Sequence, residues 1–134
     1  ECDTLISVPV LKHHGGAGVS IAMKNLMGCV WNRGEYHAKG LQACIADFLH
    51  ARKPDLSVVD ACRVITRHGP RGGSPEDVAA MNAQILSSDI VAADSAAARL
   101  LGREPSEIGH IRLAAEAGFG QIDLRKLKIQ RLTL

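Results

Sequence analysis

Basic, imidazole and carboxylate side chains stand in this chain where turns of the backbone could gather them. Lys12, His13 and His14 come directly before the run Gly15-Gly16-Ala17-Gly18, and Lys24-Asn25 follow it. Glycines let backbone N–H groups approach an anion, and a helix start behind them favours negative charge. Lys12, Gly15, Gly16, Gly18 and Asn25 are therefore candidates for holding a phosphate, a carboxylate or a cofactor. His14 and Lys24 are candidates for the chemistry itself, since an imidazole can move a proton near neutral pH and a lysine supplies a cation. The run is neither GxGxxG nor a Walker A sequence, so it names no nucleotide, and a tightly packed turn accounts for it equally well.

Asp94 is the third catalytic candidate. Helical spacing places it on one face with Ile90, Ala97, Ala98 and Leu101. A carboxylate in such a row needs a partner or a proton, and a structural hydrogen bond tying the helix to a loop is the alternative role. Asp60, Ser88 and Asp89 complete the set, because each closes an apolar run. Ligands of open parallel sheets bind beyond the carboxyl ends of the strands. Parallel strands would bring His14, Asp60 and Ser88-Asp89 to one rim.

Metal chemistry has little to recommend it. His13, His14, His37, His50, His68 and His110 form no HxxxH or HExxH pair. A site from His13 or His14 with His37 and an Asp stays open. Cys2, Cys29, Cys44 and Cys62 form no CxxC pair and lack ferredoxin spacing, so no iron–sulfur ligand pattern is present. They read as buried, reduced thiols of a cytoplasmic chain.

The elements that must position these groups follow from the pattern. The chain has 134 residues, 46% of them hydrophobic, which suits one domain with a core of aliphatic side chains. Leu5 to Val8 read as a strand that Pro9 ends. Val19, Met23, Leu26 and Met27 read as a helix ended by Gly28, and residues 31–36 as a loop. Leu41, Cys44, Ile45, Phe48 and Leu49 form an amphipathic helical stripe. Leu56 to Val59 read as a strand closed by Asp60, residues 68–75 as a long loop, and Ala83 to Leu86 as a strand. Asp89 is an N-cap for a helix from Ile90 to Leu101, and Ser106 caps one more. Leu127 to Leu132 read as a final strand. The alternation predicts an α/β fold, a mostly parallel sheet with helices packed on it in three layers.

The net charge of +2 argues against a dedicated nucleic-acid binder, although Arg125, Lys126, Lys128 and Arg131 make a basic tail. No apolar run reaches the ~18 residues of a membrane span. The chain opens on Glu1 rather than Met, which predicts residues upstream of it.

Several of these segments resemble a known family. Val8-Pro9-Val10-Leu11-Lys12-His13-His14 with Met23-Lys24-Asn25-Leu26-Met27-Gly28, then Pro54-Asp55-Leu56 through Asp60, then Gly69-Pro70-Arg71-Gly72-Gly73, then Ser88-Asp89-Ile90 through Asp94 and Ala97 through Gly102, are similar in order and type to the family of unknown function 362. The likeness spans nearly the whole chain. The family's histidine corresponds to His14, and His13 stands where threonine is common. The resemblance implies an α/β domain, residues 1–134 being the C-terminal portion of a longer one. Some members carry 4Fe–4S ferredoxin modules, so a cluster would sit elsewhere in a longer protein or in a partner. The expected function is binding of an anionic small molecule or cofactor in a redox context. The alternative is a non-catalytic module that docks to a ferredoxin through the loop at Gly69-Pro70-Arg71-Gly72-Gly73 and the basic tail. Neither reading decides whether the chain is an enzyme.

Overall fold

A computed structural model of the chain describes residues 2–72 and 74–133; Gly73 of the loop named above lies outside the described residues. The chain runs through β1 (Ile6–Ser7), β2 (Val10–His14), β3 (Gly18–Ser20), α1 (Ala22–Asn25), α2 (Gly34–Lys39), α3 (Leu41–Ala51), β4 (Leu56–Ile65), β5 (Val78–Ser87), α4 (Ile90–Leu100) and α5 (Gly109–Glu116). Among the described residues five α-helices pack around a mixed sheet, in keeping with the three-layer α/β arrangement expected.

The sheet is organised on β4. Ser57, Val59 and Ala61 are buried while Leu56, Val58 and Asp60 between them are half-buried, the period of two of a strand covered on one face. β1 and β2 both run parallel to β4, one beside its start and the other beside its middle and end. They amount to one strand broken at Val8-Pro9. Pro9 has no N–H for the ladder, but its carbonyl accepts from the Asp60 N–H at 2.9 Å. β3 returns antiparallel along β2, and β5 lies antiparallel along the full length of β4.

That last pairing corrects the shared rim. In the register Ser57 faces Ser87 and Ile65 faces Val78, whereas β2 places Lys12 beside Ile65. Ser88 and Asp89 therefore leave the sheet at the pole opposite His14. Asp60 does not close a strand either; it sits mid-strand beside Val10 and Gln84. The physical reason is the connection. Among the described residues from Thr66 to Asp77 there is no crossover α-helix, and so short a connection favours an antiparallel return.

Other expectations shift locally. The glycine run is the turn of the β2–β3 hairpin rather than a helix start, and α1 begins only at Ala22. Residues 34–39 form a helix whose first half falls within the loop expected over 31–36, with Glu35 and Lys39 paired at 2.6 Å one turn apart. Asp89 does cap α4, accepting from the Ala92 N–H at 2.9 Å, and also from Gln121 at 2.8 Å. Ser106 caps nothing. The first turn of α5 is held by Gln42, whose Oε1 accepts the His110 N–H at 2.8 Å. No strand forms over residues 127–132. Cys2, Cys29 and Cys62 are exposed and Cys44 half-buried, not the buried thiols expected.

The core gathers Leu11, Val19, Ile21, Met23, Ile45, Val59, Ile90 and Ile111, each at most 1% exposed. Burying a side chain of this size contributes about 1.5–3 kcal/mol. The other side of the sheet is more open. Ile6, Val10 and Leu86 are 50%, 47% and 61% exposed, and the register puts them beside Leu56, Asp60 and Val58.

Candidate functional site

His14 ends β2 and folds back over the turn that follows it. Its Nδ1 accepts the N–H groups of Gly16 at 3.2 Å and Ala17 at 3.0 Å. A ring nitrogen that accepts carries no proton, so the neutral ring keeps its proton on Nε2. Burial lowers the His14 pKa, and Lys24, His37, His13 and Lys12 add to that in turn. His14 is thus a neutral N–H donor rather than a poised base. The Gly16 amide is already taken by His14, and the Gly15 amide donates to the Gly69 carbonyl at 3.2 Å. Gly15, Gly16 and Gly18 build the turn and do not line the cleft described next.

Beside this hairpin lies a cleft of about 490 Å³. Lys12 and His14 reach it from β2, Lys24 and Asn25 from α1, and Arg33 and His37 from the start and body of α2. Pro9, Val10, Ile21, Met27 and Pro70 supply its apolar walls. Among the described residues its lining holds no carboxylate. Burial lowers the Lys24 pKa, with Lys12 and Arg33 adding to the effect. The Lys24 Nζ rests 3.7 Å from the Met27 sulfur. Arg33 and His37 belong to this group, and sequence reasoning missed Arg33 because its segment read as a loop. The Glu35–Lys39 spacing was the available signal for the helix.

Asp94 stands behind the cleft, not in it. It is fully buried, and its two oxygens accept the N–H groups of Ala22 at 2.8 Å and Met23 at 3.1 Å. Ile21, at the N-cap of α1, has no side chain that could do this. A residue about seventy positions away therefore caps the short helix that carries Lys24. Burial pushes the Asp94 carboxyl up to about 7, while the two amides pull it down. Asn25 donates to Ser7 Oγ at 3.3 Å, which ties the end of α1 to β1.

A second support comes from α5. His110 Nδ1 lies 2.7 Å from Gln42 Oε1, and Gln42 Nε2 donates to the Gly16 carbonyl at 3.5 Å. The His110 Nε2 is buried and has no hydrogen-bond partner among the described residues. Burial, then Lys24 and His14, lower its pKa to about 4. Neither His110 nor Gln42 carried a spacing that announced this link.

The loop after β4 closes the cleft at Pro70. The Gly69 N–H donates to His13 Nδ1 at 3.1 Å, and a Cβ at Gly69 would overlap the His13 carbonyl. Gly69→Ala should therefore lift the loop off the hairpin at a cost of about 2–3 kcal/mol. Limited proteolysis checks this: the variant is cut between Thr66 and Asp77 while the parent resists. Equal digestion would mean that the contact does not hold the loop.

Asp60, Ser88 and Asp89 are not brought to this cleft. Asp60 accepts the Cys62 N–H at 2.8 Å within β4, and Asp89 is engaged at the α4 cap. Among the described residues no group of three or more His, Cys, Asp or Glu side chains could hold a metal ion. The four dispersed cysteines do not fit an iron–sulfur cluster. Among the same residues, no helix is long and apolar enough to cross a membrane.

A family model for a domain of unknown function, DUF362, matches residues 1–99, well over half of the chain. The chain belongs to the DUF362 family. The DUF362 match runs from β1 through most of α4, so it takes in every residue of the cleft and Asp94 but not α5. A thylakoid-associated protein of Synechocystis sp. is 28% identical over 116 residues, 81% of this chain. The DUF362 chain described here spans about a third, 35%, of that relative's length. No solved structure gives a significant match to it.

Proposed function

We propose that this DUF362 chain binds an anionic small molecule or cofactor in the cleft between β2, α1 and α2. The observation that carries the reading is the lining. Lys12, Lys24 and Arg33 contribute cations, His14 contributes an N–H, and among the described residues no acid lines the cleft with them. Like charges held together in a partly desolvated cleft repel one another, and an anion relieves that repulsion. In this reading Lys12, Lys24 and Arg33 hold the ligand, and Asn25 and Asp94 fix α1 so that Lys24 stays in place. The glycines serve the turn that orients His14. Redox chemistry and ferredoxin docking have no supporting feature in the cleft and do not enter the proposal.

Calorimetric titration of the folded chain with inorganic phosphate and with benzoate tests it. Lys12→Met and Lys24→Met keep most of the side-chain volume and remove the charge. Each should weaken binding about tenfold or more, the scale of a charge-assisted hydrogen bond. Raising the salt should weaken binding to the parent protein as well. Affinity for a bound anion left unchanged in both variants would refute the reading, and so would failure of these anions and of phenyl phosphate and phenyl sulfate to bind.

A further inference from the structure

The same cleft carries a sharper statement about its ligand, which rests on the anion reading. Among the described residues three cations line it without a carboxylate. A singly charged ligand leaves most of that charge uncompensated, whereas a dianion compensates most of it. Arg33 offers a planar fork suited to a tetrahedral oxyanion. Val10 and Pro70 expose apolar surface at the cleft's edge that an organic group would cover. At about 490 Å³ the cleft has room for both parts.

His14 supplies the deciding feature. Its Nδ1 is occupied by two backbone N–H donors, at 3.2 and 3.0 Å. Adding a proton there would set an N–H against two others and break the turn. The groups that face it are Lys24 from α1, His37 from α2, Lys12 and His13 from β2, and His110 from α5, all of them bases. Making His14 a cation therefore requires that turn to open, and while the turn is intact Nε2–H is a neutral donor. An anion site built on a titrating histidine strengthens as the pH falls. A site built on fixed cations and a neutral donor follows the charge of its ligand instead.

We propose that the cleft selects phosphate monoesters in their dianionic form, with Lys12, Lys24 and Arg33 on the phosphate, His14 as a fixed neutral donor, and the organic group against the apolar walls. Phenyl phosphate and phenyl sulfate separate the possibilities, because they share a shape while the sulfate remains a monoanion. Calorimetry on the whole chain should give tenfold or greater preference for phenyl phosphate at pH 7. Its affinity should rise about tenfold from pH 5 to pH 7, as the ester loses its second proton near pH 6. Phenyl sulfate should show no such rise. His37→Gln removes the other imidazole of the cleft lining, and the rise should persist in it. Equal affinity for the two esters, or tighter phosphate binding at pH 5, overturns the proposal and leaves the anion reading standing. If phenyl phosphate, phenyl sulfate, inorganic phosphate and benzoate all fail to bind, both fall.

Discussion

Replacing Asp94 with alanine should lower the unfolding free energy at pH 6 by about 3–5 kcal/mol, the cost of leaving two buried N–H donors without an acceptor. In a chain of this length that is a fall of about 10–20 °C in Tm. The carboxylate is fully buried, and it is the acceptor that the N-terminus of α1 has in place of a side chain at Ile21. Asp94→Asn keeps one acceptor and turns an NH2 toward the second donor, so it should lose about half as much. Anion binding should drop in both variants at temperatures where they remain folded, since Lys24 rides on α1. Thermal melts by circular dichroism check the stability, and an alanine variant melting within a degree or two of the parent would show that the tie is idle.

The second large effect is hidden in the parent protein and exposed by substitution. His110 has its folded pKa lowered to about 4, from 6.5. Its contribution is present above pH 6.5 and is lost as the pH falls through about 4, a loss on the order of 3 kcal/mol. Asp94 has its folded pKa raised to about 7, from 3.8. Its contribution is present below pH 3.8 and is lost as the pH rises through about 7, and it is of similar or slightly larger size. Between pH 4 and 6.5 the two slopes oppose each other. Asp94→Asn, which cannot titrate, should therefore lose about 3 kcal/mol more than the parent on acidification from pH 6.5 to 4. His110→Gln should change in the opposite sense by a similar amount. Urea unfolding at several pH values measures both, and parallel curves for all three proteins would contradict the assignment of these two groups.

The elements that could be read in advance are those whose residues obey one local rule. The stripe Leu41, Ile45, Phe48 and Leu49 demands a helix, and α3 is there. Asp89 before an alanine-rich run demands a cap, and it caps α4. The direction of β5 was not available in this way. Its alternation of half-buried Met81, Ala83 and Ile85 with exposed Asn82, Gln84 and Leu86 is the same for either orientation. Only the lack of a crossover helix among the described residues of 66–77 speaks to direction, and the short strand expected at Ala83 to Leu86 concealed how little chain was left for one. Asp60 misled for a related reason. A polar residue after Val59 reads as an end, yet it also suits the open face of a continuing strand.

The site divides along the same line. Lys12, His14, Lys24 and Asn25 were legible as a cluster because they flank one hairpin and one helix close in sequence. Arg33 lies on the neighbouring segment. The supports were not legible, because Asp94 meets Ala22 and Gln42 meets His110 only in three dimensions. The burial of Asp94 followed from its helical face, but its partner did not.

The antiparallel ladder of β4 and β5 also separates the molecule into two ends. From the Ser57 row to the Ile65 row the sheet extends roughly 25 Å at about 3.3 Å per residue. Ser88 is exposed at the far end, away from the Lys12 row. A fluorophore or an immobilising tether placed at Ser88 would therefore leave ligand entry unobstructed, and substitutions made at the two ends should combine additively.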